Sequence, residues 1–320
     1  MRRNAPRLVL LYGALLLGNA AAWGWAFALF GGNTALMGTA LLAYALGLRH
    51  AVDADHIAAI DNTTRKLVQE GQRPLGVGLF FSLGHSTVVV LASAAIALAS
   101  LRLGRLEWLH NIGGTIGTAV SASFLFVIAA ANIVTLLAIL RAMRGASDLP
   151  ALPGGVLGRL LKPVMRLVSK SWHLYPLGFL FGLGFDTASE VGLLGISASQ
   201  ASHAVPFWSI MVFPALFTAG MSLIDTTDGV LMTGAYGWAL VQPTRKLVYN
   251  LTVTLFSILV ALVIGALEAA NLLAGRLALD GPPWRFVAGL NQHFGALGAV
   301  TILGLTGCWA LSMLMARRAA

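Results

Sequence analysis

The chain has 320 residues, 58% of them hydrophobic and only 10% charged, with a mean hydropathy of +0.81 and a formal net charge of +9. A water-soluble domain carries roughly 25% charged residues, so lipid is the solvent for most of this chain. The single cysteine, Cys308, excludes an intramolecular disulfide and a thiolate metal cluster, and basic residues set between apolar stretches read as membrane topology, not as nucleic-acid binding.

A membrane helix needs about 20 apolar residues. In chain order eight stretches reach that length: Leu8–Phe30, Ala35–Ile60, Leu75–Ser100, Ile112–Leu140, Leu174–Ser199, Phe207–Thr233, Leu247–Leu273 and His293–Met315. They predict an all-α, polytopic membrane protein with eight transmembrane helices. The first stretch, with Arg2, Arg3 and Arg7 before it and Asn19-Ala20-Ala21-Ala22 inside it, also has the layout of a signal peptide. Its apolar run continues through Trp23, Trp25 and Phe30, which favours a span.

Sixteen of the 21 Lys and Arg residues fall in the two ends and the even-numbered loops, four fall in the odd-numbered loops, and Arg49 lies inside a span. Cytoplasmic segments retain Lys and Arg, so both termini are expected in the cytoplasm of a cell membrane, and the Ala-, Leu- and Gly-rich composition fits a bacterial inner membrane. The basic, Pro- and Gly-punctuated loop 142–173 divides the chain into a four-helix half, 1–141, and a second four-helix half, 174–320. Gly47–Asp55 in span two echoes Gly182–Glu190 in span five, and Phe81–Ser86 in span three echoes Phe217–Ser222 in span six. These pairs run in opposite directions, the pattern of an inverted-topology repeat with a site where the repeats meet.

Charges in lipid cost about 2.5–3.5 kcal/mol each on insertion scales, so they rarely occur there without a use. Span two holds His50, Asp53, Asp55 and His56; span three, His85; span five, Asp186 and Glu190; span six, Asp225 and Asp228. Imidazole with carboxylate is a ligand set for Ni²⁺, Co²⁺ and Zn²⁺. A Cu(I) site would want Cys or several Met, and only Met221 accompanies this group; Mg²⁺ and Ca²⁺ would want oxygen alone. The same His50, Asp55 and His56 also suit a buried structural network, and His85, beside Ser86 and Thr87, suits a hydrogen bond across helices. Asp53 is a natural partner for Arg49. Asp186, Glu190, Asp225 and Asp228 are suited to binding metal, relaying protons or holding helices together. Asp61 with Asn62, Thr63 and Thr64 reads as a helix terminus and turn, and Glu268 as a lone charge at the outer end of span seven. His110, His173, His203 and His293 lie at span ends, where solvent reaches them.

On an unbroken helix His50 and His56 would stand about 9 Å apart along the axis, too far for metal–nitrogen bonds near 2 Å. Span two is therefore predicted to be a broken helix, unwound or kinked around Ala51–Asp55, as mid-membrane helices that line a cavity are.

The run Arg49-His50-Ala51-Val52-Asp53-Ala54-Asp55-His56-Ile57 resembles the signature of the nickel/cobalt transporter family of secondary permeases, whose His-x4-Asp-His pattern falls on His50, Asp55 and His56. Leu83–Val89, Leu183–Glu190 and Gly220–Asp228 resemble three further motifs of that family in order, with Ser189 where threonine is more usual. The resemblance implies high-affinity uptake of Ni²⁺ or Co²⁺ at His50, Asp55, His56 and His85, with Asp53, Asp186, Glu190, Asp225 and Asp228 on the metal path or in proton coupling. It implies no cofactor and no ATP, and no phosphate-binding glycine loop is found. The divalent ion and the bilayer are the expected partners. An efflux permease on a related plan is the alternative; such proteins tend to carry a His-rich cytoplasmic loop, and 142–173 has only His173. An enzyme is not expected: a His-Glu-x-x-His motif is missing, and di-iron hydroxylases need more closely spaced histidines.

Overall fold

The computed structural model describes residues 5–99, 168–183, 188–203, 205–239 and 243–291, most of 118–137, and scattered positions from 140 to 307. Among the described residues it is all-helical. The helices are α1 (Ala5–Phe30), α2 (Thr34–His50), α3 (Ala54–Gln69), α4 (Val77–Ala99), α5 (Leu174–Gly182), α6 (Ala188–Ser202), α7 (Phe207–Ile210), α8 (Val212–Ala239), α9 (Pro243–Arg276) and α10 (Pro282–Asn291).

Four helical stretches here are long and apolar enough to cross a membrane: Ala5–Phe30, Val77–Leu98, Phe207–Gly237 and Thr254–Arg276. A fifth is added if α2 and α3 count as one. The expected span Ile112–Leu140 is described over most of 118–137, His293–Met315 lies largely outside the described residues, and so do residues 184–187 of the fifth. On α1 the side chains of Val9, Leu10 and Leu17 are more than 70% exposed. An apolar surface of that kind is stable against lipid and not against water. The chain is a multi-pass membrane protein.

Local chemistry sets the helix ends. Asn33 caps α2, its side chain accepting from the amides of Ala35 and Leu36, each at 3.1 Å. α3 closes on Gly71, whose φ of +82° suits only glycine well. There Gly71 N donates to Val68 O (3.0 Å) and Gln72 N to Leu67 O (2.9 Å), the paired bonds of a Schellman motif. Pro243 and Pro282 open α9 and α10, where the lost N–H costs nothing.

The described residues group into two compact units, one within Met1–Val52, Leu75–Thr118 and Leu174–Thr227, the other within Asp53–Pro74, Ala119–His173 and Asp228–Ala320. The first has a core of Phe30, Val89, Leu193, Phe213, Leu216, Phe217 and Met221 with small residues such as Ala26, Ala40 and Ala43. In it α4 packs along α5 and α6, and α2 along α6. Backbones touch there: a Cβ on Gly84 would stand 1.9 Å from Tyr175 O, one on Gly178 2.1 Å from Phe81 O, and one on Gly47 2.2 Å from Phe217 O. Small residues at such crossings replace the hydrophobic drive that lipid does not supply.

The second unit has an apolar cluster of Ala58, Leu125, Ala129, Ala261 and Ile264, and against it a polar one. Asp61, Asn62, Thr63, Thr64 and Arg65 are all at most 4% exposed. This corrects the reading of Asp61–Thr64 as a helix terminus and of Arg65 as a loop residue: α3 runs on to Gln69. The reason is tertiary. Arg65 donates to Thr254 (2.7 Å) and Asn132, Asn132 donates to Asn62 (2.6 Å), and Asp61 accepts from Tyr236 and Ser257. Partners supplied by distant helices satisfy the buried side chains of Asp61 and Asn62 and the terminal nitrogens of Arg65. Glu268 likewise is not a vestibule charge; it is buried and accepts from Ser121 at 3.0 Å.

Candidate metal centre

His50 is the last residue of α2. After it the chain leaves helical geometry: Val52 N bonds Arg49 O (3.1 Å), a three-residue step, and Asp53 is extended at φ −68°, ψ 145° before α3 begins. His85 sits midway along α4, and Glu190 in the first turn of α6, where a carboxylate is favoured by the exposed amides. Arg49, one residue before His50, donates to the buried hydroxyl of Ser189, one residue before Glu190. That bond fixes the end of α2 against the start of α6.

The three side chains meet inside the first unit. His50 Nε2 lies 2.9 Å from His85 Nε2, and His85 Nε2 lies 2.9 Å from Glu190 Oε1. His50 Nε2 and Glu190 Oε1 are 3.9 Å apart. All three residues are at most 2% exposed. Three electron-rich atoms at these distances repel unless a proton or a cation lies among them. A point midway between His50 Nε2 and Glu190 Oε1 is about 2.0 Å from each and about 2.1 Å from His85 Nε2, the length of metal–nitrogen and metal–oxygen bonds. Seen from that point the donors form a T, with His50 and Glu190 opposite and His85 at a right angle.

Apolar rings wall the group. The Phe217 ring is 5.4 Å from that of His50, and the Phe81 ring 6.3 Å from that of His85. Gly182 lets α5 approach: a Cβ there would stand 2.8 Å from His85 O. Beside His85, the buried hydroxyl of Ser86 has no hydrogen-bond partner among the described residues.

The other expected residues are placed as follows. Asp53 is the N-cap of α3, Asp55 lies in its first turn, and His56 follows; Asp53 and His56 are fully buried, Asp55 partly. These three belong to the second unit. Asp225 is fully buried on α8, and Asp228, three residues on, is half-buried. Asp186 and His110 lie outside the described residues. His203 and His293 are exposed and His173 half-buried, each at a helix end. Spacing did not single out Glu190 from the other carboxylates. Its only local signal is its place in the first turn after the Leu183–Glu190 motif.

Comparison with known proteins is consistent with this chemistry. A family profile described as high-affinity nickel-transport protein matches residues 36–315. The high-affinity nickel transport protein of Cupriavidus necator is 53% identical over 98% of this chain and 93% of its own length. The nickel transporter NicT of Mycobacterium tuberculosis is 46% identical over 89% and 80%, and the cobalt transport protein NhlF of Rhodococcus rhodochrous 43% identical over 77% and 74%. No solved structure matches the chain.

Proposed function

The chain belongs to the high-affinity nickel-transport protein family, a family of metal transporters and not of enzymes, and from that premise we propose that it carries Ni²⁺, and Co²⁺ less well, into the cell as a secondary transporter. The observation that carries the reading is the T of donors formed by His50, His85 and Glu190. His56 and Asp55 follow His50 by six and five residues, within easy reach of a chain that leaves the helix after His50, and they complete the ligand set. In this reading α2 and α3 are one broken span whose interruption lines the ion's path. Asp53, Asp186, Asp225 and Asp228 extend that path or relay protons.

The ion sheds its water for imidazole and carboxylate within a low-dielectric wall, then leaves as the inward side opens. Inward transport needs no nucleotide, because a dication gains about 4.6 kcal/mol crossing 100 mV. Eight spans in inverted repeats, with both ends in the cytoplasm of a bacterial inner membrane, complete the proposal.

Uptake of radiolabelled Ni²⁺ and Co²⁺ at submicromolar concentration tests it, in cells making the wild type, His56→Ala or His85→Ala. The wild type accumulates Ni²⁺, unlabelled Co²⁺ competes and Zn²⁺ does so poorly, and both variants are inactive. A wild type that lowers cellular metal would mean export. Equal accumulation with and without the protein would sink the proposal.

A further inference from the structure

A second buried polar centre lies beyond the metal ligands. Asp61 is on the interior of α3, five residues past His56 and 2% exposed. Its Oδ1 accepts from the Tyr236 hydroxyl on α8 and its Oδ2 from the Ser257 hydroxyl on α9, the latter at 3.3 Å. Among the described residues the charged group facing it is Arg65, one turn along α3. The hydrogen bonds of Arg65 go to the neutral side chains of Thr254, Asn132 and Asn62. From α9 and the later chain the neighbours are Phe256, Val260, Thr301 and Leu305, none of them titratable.

Two features distinguish this carboxyl from one serving only as structure. Both hydrogen-bond partners are hydroxyls, and a hydroxyl donates or accepts by rotating. The ionised carboxylate is satisfied as drawn. The protonated acid can donate to Ser257 when that hydroxyl turns to accept from it, so the carboxyl is hydrogen-bonded in either state. In addition, the crevice that Asp61 shares with Asn62, Ser257 and Val260 has no room for a water molecule. A hydrated or partly hydrated second cation does not fit there; a proton does.

We propose that Asp61 is a proton-exchange site, protonated while the metal site is empty and ionised when the metal site is filled. The inference rests on the assignment of His56 as a ligand. Five residues of helix place Asp61 about 7.5 Å along the axis from His56, and a dication at that range in a poorly screened interior favours the carboxylate. The step breaks the carboxyl O–H bond, and the Ser257 hydroxyl that accepts from the acid relays the proton to water outside the partly open crevice. No electrons move. Each ion bound thus displaces a proton, and occupancy of one centre by Ni²⁺ and of the other by H⁺ becomes mutually exclusive.

The test uses purified full-length protein in lipid nanodiscs, titrated with NiCl₂. Infrared difference spectra of the wild type lose a protonated-carboxyl C=O stretch as Ni²⁺ binds, and a pH dye in weak buffer reports about one more proton released per ion than from Asp61→Asn. Asp61→Glu restores the release and moves the stretch to a glutamic-acid frequency, which decides the matter even if Asp61→Asn does not fold. Nickel binding without loss of any protonated-carboxyl stretch, or equal proton release from wild type and Asp61→Asn, overturns the proposal while leaving the metal site standing. No nickel binding by the wild type overturns both.

Discussion

Glu190 supplies the one carboxylate in the T of donors, beside the imidazoles of His50 and His85. Replacing it by glutamine keeps the shape and a hydrogen bond to His85 but removes the charge that offsets the dication. Glu190→Gln is expected to weaken Ni²⁺ binding by about 10–100-fold, the range seen when a partner in a metal site is altered. Isothermal titration of the purified variant checks this, with circular dichroism to confirm that the helices remain. Unchanged affinity would remove Glu190 from the ligand set. The burial of His50, His56 and His85 was legible from the sequence, because all three lie inside apolar runs. The meeting of Glu190 with His85 was not, since that contact spans 105 residues, and nothing in local spacing separates Glu190 from Asp186, Asp225 or Asp228. Asp61 was misread for the same reason in reverse. An Asp-Asn-Thr-Thr run resembles a helix end until Tyr236 and Ser257 are seen to receive it.

At the scale of the helix, the metal centre depends on how closely α4 and α5 approach. Gly84 is adjacent to His85, and a methyl there would meet the carbonyl of Tyr175 at 1.9 Å. Backbone cannot yield as a flexible side chain does, so Gly84→Ala must push α5 off α4 and carry His85 with it. Overpacking of this kind costs typically about 1–3 kcal/mol, and the displaced His85 loses the geometry of the T. The expected result is a lower melting temperature together with loss of Ni²⁺ uptake at normal expression. Gly13→Ala on α1, where a methyl meets nothing within 4 Å, is the matched control and keeps both. Uptake by Gly84→Ala at the control's rate would show that the crossing is looser than described. Hydropathy made α1, α4 and α8 legible, because each is a long apolar run. It placed the end of span two at Ile60 and missed that α3 continues through Gln69, since the polar partners of Asn62 and Arg65 come from Asn132 and Thr254, far along the chain.

For the whole molecule, binding to the folded state alone raises stability by mass action. Nickel at one hundred times its dissociation constant adds about 2.7 kcal/mol, so the thermal transition of the detergent-solubilised protein rises with NiCl₂, rises less with CoCl₂, and stays put with MgCl₂. Chelation by EDTA returns it to the starting value. A shift of equal size with Mg²⁺ would point to non-specific charge screening in place of a nitrogen-bearing site. The broad class was legible from composition alone: so few charges in so apolar a chain leave lipid as the only adequate solvent. The grouping of helices into units was not. Each compact unit draws segments from both sides of loop 142–173, and such long-range association is decided by packing that no periodicity records.

The hydrogen bonds that tie down α1 also set a schedule. Asn19 on α1 donates to Leu15 O (2.9 Å) and to Ala219 O (3.2 Å), and its own oxygen accepts from Tyr44 (2.9 Å). Tyr12, a little earlier, donates to Thr227. A ribosome adds about 5–20 residues per second, so about 10–40 s separate the synthesis of Asn19 from that of the carbonyl it finally meets. During that interval α1 is held by its own hydrophobicity and by Tyr44 of α2, made 25 residues after Asn19, with its one amide turned back on the preceding turn. The helix made first among those described therefore receives its last hydrogen bonds, to Ala219 and Thr227, only after two thirds of the chain has been made.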